Sequence, residues 1–123
     1  MMRWRVRRRQ VFADERGMVT VEAAFAIASI VAVVVMGVIA VVAVAAHVRC
    51  IDAAREAARV AAQGDSATAQ RVAVQVGPRG ASVIIRTEGD LVIAEVRADV
   101  PLMPGLDVGA KAVAAVEPGG AGE

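Results

Sequence analysis

The stretch AAFAIASIVAVVVMGVIAVVAVAA, residues 23–46, decides the fold. It holds 24 positions without a charged side chain. As a helix it is about 36 Å long, enough to cross a hydrocarbon core of ~30 Å with some tilt. Hydrophobic residues make up 57% of the 123-residue chain and aromatics 2%, with a mean hydropathy of +0.56. An ordinary soluble domain is less apolar, so the composition also points to a membrane segment.

Working outward, the two flanks differ in charge. Residues 1–17 carry Arg3, Arg5, Arg7, Arg8, Arg9 and Arg16 against Asp14 and Glu15, a net of +4. The remaining residues carry eight basic and eleven acidic side chains, a net of −3. Basic residues before the span and acidic balance after it put the N-terminus in the cytoplasm and the C-terminal part outside. Trp4 is expected to anchor at the inner headgroups. The basic segment reads as a topology signal, and nothing beyond it forms a nucleic-acid surface. A cleaved secretory signal peptide has an apolar region of only ~7–15 residues, although Ala43-Val44-Ala45 resembles its cleavage site.

The helix is expected to continue past the membrane. HVRCIDAAREAARVAAQG holds good helix formers and i,i+3 charge pairs: Arg49 with Asp52, Asp52 with Arg55, Glu56 with Arg59. Val48, Ile51, Ala54, Ala58 and Ala62 form the expected apolar stripe, and Gly64 the stop. The reading is one helix over about 18–63, with 18–46 in the membrane and 47–64 as an amphipathic extension. Such a helix is about 69 Å long.

Residues 65–117 read as a small extracytoplasmic α/β region. Asp65 or Ser66 caps a short helix that ends at Val76 before Gly77-Pro78. ASVIIRTE reads as a strand and Gly89-Asp90 as its turn. In LVIAEVRADV, Val92, Ala94, Val96, Ala98 and Val100 share one face, and Glu95, Arg97 and Asp99 the other. Pro101 and Pro104 break the ladder, and LDVGAKAVAAVE supplies a third, weaker strand. Residues 118–123, PGGAGE, read as a disordered tail. The expected fold class is α+β: a long N-terminal helix and a three-stranded antiparallel sheet resting on it. The inward residues are mostly Ala and Val, so the core is thin.

Glu22 stands at the lip of the span, where a carboxylate is costly unless it stays among headgroups or finds a partner. A cut between Gly17 and Met18 would give Met18 a free amine four residues from Glu22, on the same helix face. It would also remove the +4 segment.

These residues carry a family resemblance. A short basic leader, Gly17, then Met18-Val19-Thr20-Val21-Glu22 and an apolar helix resembles the type IV pilin leader. RGMVTVEAAFAIASIV, with AREAARVAAQGD after the span, is similar in particular to the TadE-like proteins of tight-adherence (Flp) pilus systems. The resemblance covers roughly residues 15–65. It implies cleavage after Gly17 by a prepilin peptidase, Glu22 as the registering carboxylate paired with a Met18 amine, and a span from Ala23 to Ala46. It implies other pilin or pseudopilin subunits and an inner-membrane assembly platform as partners, beside membrane lipid. The implied location is the cytoplasmic membrane, single-pass, and a cell-surface pilus after assembly. The major-pilin pattern has a tyrosine beside the glutamate, where Ala23 stands, so the expectation is a minor pilin or pseudopilin. Ala26, Ser29, Ala32 and Gly37 offer small-residue contacts to a neighbouring helix, or merely reflect composition.

The alternative is an uncleaved single-pass scaffold or secretion accessory protein. A third reading is a conventionally secreted protein beginning near His47. No enzyme is expected, since no nucleophile–base arrangement or phosphate-binding glycine loop is present. No cofactor, metal cluster or nucleic-acid partner is expected either. His47 fits an interfacial helix exit. Cys50, the only cysteine, excludes an intramolecular disulfide and reads as a plain helix residue, with an intermolecular bond as the other option.

Overall fold

The computed structural model describes the backbone of residues 7–119 and, within it, side chains from Glu15 onward. The expectations for Arg3, Arg5 and Trp4, and for the last four residues of the tail, lie outside the described residues. The elements are α1 (Arg7–Ala62), α2 (Ser66–Val76), β1 (Ser82–Glu88), β2 (Leu91–Asp99) and β3 (Asp107–Ala115). The fold is α+β, a long apolar N-terminal helix followed by a small antiparallel sheet. The chain divides into two units between Val38 and Ile39.

In the first unit every described side chain, from Glu15 to Val38, is exposed. α1 begins at Arg7 rather than at Met18, so the helix runs through the basic segment. Arg, Gln, Ala, Glu and Met all favour helix, and one interior glycine, about 1 kcal/mol worse than alanine, does not break it.

The second unit packs the C-terminal part of α1, with α2, on one face of the sheet. Its strand order is β1-β2-β3, a meander. Glu88 pairs with Leu91 across Gly89-Asp90. Gly89 has φ +61 while Asp90 does not enter positive φ, the pattern of a type II′ hairpin turn. Asp65 caps α2, accepting from the Thr68 amide at 2.9 Å. The Thr68 hydroxyl first, and its amide second, hold the Asp65 carboxyl below its usual range. Gly77 closes α2, its amide donating to Ala73 O. A Cβ at Gly77 would sit 2.9 Å from that same oxygen, so the stop is also a steric requirement.

The core is built in three tiers along α1. The first joins Cys50, Ala53 and Ala54 to Val96 and Ala98. The second joins Ala57, Ala58 and Ala73 to Ala94. The third joins Ala61, Ala62 and Ala69 to Val92. Alanine lets helix and strand approach closely, and valine on β2 fills the space left. The alternation expected for β2 and β3 holds, with one exception. Ile93 lies on the outer face yet is only 7% exposed, because it stands in the central strand between Arg86 and Val113. Long neighbouring stems cover it.

The expected apolar stripe is corrected. Ala54, Ala58 and Ala62 are buried, but Val48 is exposed and Ile51 only half-buried. The buried set is Ala46, Cys50, Ala53, Ala54, Ala57, Ala58, Ala61 and Ala62. Closeness to the sheet, not side-chain size, selected that face. Of the three charge pairs, Glu56 and Arg59 form the ion pair, with Arg59 Nε donating at 3.1 Å. The other two do not close among the described residues.

Candidate functional site

Gly17, Met18 and Glu22 fall on one turn of α1 and its successor. With Val21 they border a shallow, open depression. The i,i+4 spacing brings the Met18 and Glu22 side chains onto one face, and both are exposed. The Thr20 hydroxyl donates to Gly17 O at 2.8 Å, with Arg16 O 3.2 Å away. That bond ties the carbonyl of the Gly17–Met18 peptide to the helix, in competition with the backbone ladder. A Cβ at Gly17 would meet nothing within 4 Å. The glycine is therefore not demanded by packing within this chain. It weakens the helix locally, by about 1 kcal/mol relative to alanine.

Ala23 is exposed, as expected for a residue entering the span. Ala46, taken as the far end of the span, is 7% exposed and belongs to the core of the second unit. Sequence alone does not separate lipid burial from protein burial, since both select apolar residues. The helix is open on all sides from Glu15 to Val38, and Val41 and Val44 are still exposed. One helix near the N-terminus is thus long and apolar enough to cross a membrane.

Cys50 is fully buried, its Sγ 3.9 Å from Val108 O. Burial pushes its thiol above the usual range, which suppresses the reactive thiolate. The option of an intermolecular bond there is therefore corrected: the residue is core. His47 is exposed, immediately after the uncharged run. No group of three or more His, Cys, Asp or Glu suited to a metal occurs among the described residues.

The outer face of the sheet is mixed: Ile84, Leu91 and Val113 are exposed on it beside a set of charged side chains. Arg97 Nε donates to Glu95 Oε1 at 2.7 Å, and its Nη1 lies 3.8 Å from Asp107 Oδ2. Arg86 and Glu88 pair at 3.1 Å. The Arg97 hydrogen bond holds the Glu95 carboxyl below its usual range. The reading of the sequence passed over Leu102. It is the only non-glycine with positive φ among the described residues, at 69°, and it is exposed. Its signal was present in Pro101-Leu102-Met103-Pro104-Gly105, two proline turns in succession, read only as a break.

The geometry defines a small α+β protein carried on one long apolar helix. Over 99 residues, 80% of this chain and 79% of its relative, it is 50% identical to the apoptosis inhibitor Rv3655c of Mycobacterium tuberculosis. The chain belongs to the family of that mycobacterial protein. No family model matches the chain, and no solved structure does.

Proposed function

We propose that the protein is a TadE-like minor pilin or pseudopilin, a structural component of tight-adherence pilus assembly. It is inserted in the cytoplasmic membrane by α1, with the basic segment inside, and cut after Gly17 by a prepilin peptidase. One observation carries this reading. Gly17, Met18 and Glu22 share an open face of α1 immediately before its 24-residue uncharged run. Cleavage creates an amine at Met18 and removes the arginines that hold the N-terminus in the cytoplasm. Beside lipid, a free amine and a carboxylate each gain from a partner of opposite charge. Pairing of Met18 with the Glu22 of an adjacent subunit sets the register of packed helices. The small sheet then lies on the outside of the assembly, which in turn is a route to cell adhesion.

The test is the N-terminal residue of membrane-extracted protein, read by mass spectrometry beside a Gly17→Val variant. A terminus at Met18 that the substitution abolishes supports the proposal. An intact leader in cells with an active prepilin peptidase overturns it in favour of a single-pass scaffold or secretion accessory.

The 50% identity to a protein named as an apoptosis inhibitor favours a second reading, in which this chain also restrains apoptosis. Caspase activation in cells given the purified protein and an apoptotic stimulus tests it; unchanged activation removes it.

A further inference from the structure

Two turns follow one another between β2 and β3. The Met103 amide donates to Val100 O at 3.2 Å, and the Leu106 amide to Met103 O at 3.2 Å. The Val100 amide closes the loop onto Leu106 O at 2.8 Å. Each turn has proline in its second position and positive φ in its third, the pattern of type II turns. In the second turn the third residue is Gly105, at φ 84°. In the first it is Leu102, at φ 69°. That conformation suits glycine or asparagine, and a leucine is held there under strain. Nor does the side chain gain burial within the protein. Leu102 is 75% exposed, more than any other large hydrophobic residue among those described. Met103 and Leu106 beside it are 41% and 45% exposed, while Val100 at the loop's root is 3%. The loop is a closed frame with an apolar tip.

The tip's place in the second unit is defined. Asp99 and Pro101 border the same cleft as Val42, Ala45 and Arg49 of α1 and Arg79. The Gly89–Asp90 turn lies at the opposite end, where Asp90 O accepts from Val116 and Ala62 O from Glu117. The loop therefore sits at the end of the unit where the open apolar surface of α1, Val41 and Val44, begins. Exposed Arg49 and Arg79 stand at the same level.

We infer that residues 101–106 form a second membrane contact, in which Leu102, Met103 and Leu106 enter the interface of the bilayer that α1 crosses. This rests on the membrane-spanning reading of α1. Arg49 and Arg79 meet lipid phosphates there, as basic residues at an interface do, while the apolar tip reaches the headgroup–acyl boundary. The bilayer is the occupant because Pro101, at the root of the tip, borders the same cleft as Val42 and Ala45, which lie at the end of the stretch that the membrane-spanning reading puts in lipid. The two proline turns fix the loop beforehand, so little ordering entropy opposes insertion. The unit is then held in one orientation on the membrane instead of swinging on its helix.

The test uses the full chain in phosphatidylcholine–phosphatidylglycerol vesicles containing lipids spin-labelled near the top of the acyl chain, to report on Met103 and Asp90, or near its end, to report on Val35 at the middle of the span. Pyrene is attached at Met103→Cys, Asp90→Cys or Val35→Cys under native conditions, where buried Cys50 is protected; the unsubstituted chain is the control. The expected result is emission loss at Met103 close to that at Val35, with Asp90 unaffected. Leu102→Gly, which the turn accepts, is expected to return the Met103 label toward the Asp90 level. Quenching at Val35 with none at Met103 overturns the loop contact and leaves the span standing. Pyrene excimers at Met103 without lipid quenching place a second copy there and also overturn it. No quenching at Val35 removes the span, and the loop contact with it.

Discussion

The two halves of α1 are both apolar helix, written in different alphabets. From Val19 to Val38 the large side chains, Val, Ile, Phe and Met, are exposed around the whole circumference. From Ala46 to Ala62 the buried face is alanine with one cysteine. A surface that meets lipid gains from bulk, because apolar area is what the bilayer rewards. A surface that meets a sheet at close range gains from smallness, because fit limits it. Hydrophobicity alone is the same signal in both; residue volume tells them apart.

Charge placed in each half breaks this comparison differently. Val96→Asp buries an unpaired carboxylate in the first tier of the core, where nothing polar faces it. It is expected to cost about 4 kcal/mol or more, enough to unfold so thin a unit. Circular dichroism and protease resistance would show loss of the sheet, while α1 still inserts. Val35→Arg should do the reverse. It opposes insertion by about 2.5–3.5 kcal/mol, seen as alkali-extractable protein, and leaves the unfolding of the second unit unchanged. Equal effects of the two substitutions on both readouts would mean that the halves are not separate.

A smaller effect of opposite sign is expected at Leu102→Gly. Releasing positive φ should raise the unfolding free energy of the second unit by about 1 kcal/mol, measured by urea titration. No gain would mean that the turn holds no strain.

The smallest effect is electrostatic. Hydrogen bonds from Arg59 and Arg97 hold the Glu56 and Glu95 carboxyls below their usual range. The folded chain thus takes up these protons less readily than the unfolded one. The contribution is full above the ordinary carboxylate range, about pH 4, and is lost as pH falls through the lower folded values. Both sites are solvent-exposed, so the loss is modest. A Glu56→Gln, Glu95→Gln chain should show a flatter decline in Tm between neutral pH and pH 3; an unaltered decline would assign acid sensitivity elsewhere.

Legibility followed the same division. The long apolar helix, a cap at Asp65 or Ser66, the Gly89–Asp90 turn and the facing of β2 were readable because each depends on local pattern: an uncharged run, a capping residue before a helix, a glycine between strands, a period of two. The stripe of the extension was misread because Val48 and Ile51 looked like better core residues than Ala53 and Ala57. Local hydrophobicity ranks side chains by size, whereas the sheet selects what fits beneath it. At the candidate site, the Gly17, Met18 and Glu22 face was readable from helical spacing. The continuation of α1 back to Arg7 was not, because the glycine and the change in composition resemble a boundary.

By itself the sequence determined one helix able to cross a membrane, the charge asymmetry around it, and the order and type of the elements that follow. These are properties of neighbours along the chain. Only the tertiary structure decided that Ala46 and Cys50 belong to a protein core, that Ile93 is covered on the outer face of the sheet, and that Leu102 is held at positive φ with its side chain exposed. Those outcomes depend on which surfaces meet across distant positions, and 50 and 108, or 42 and 101, come together only when the strands close on the helix.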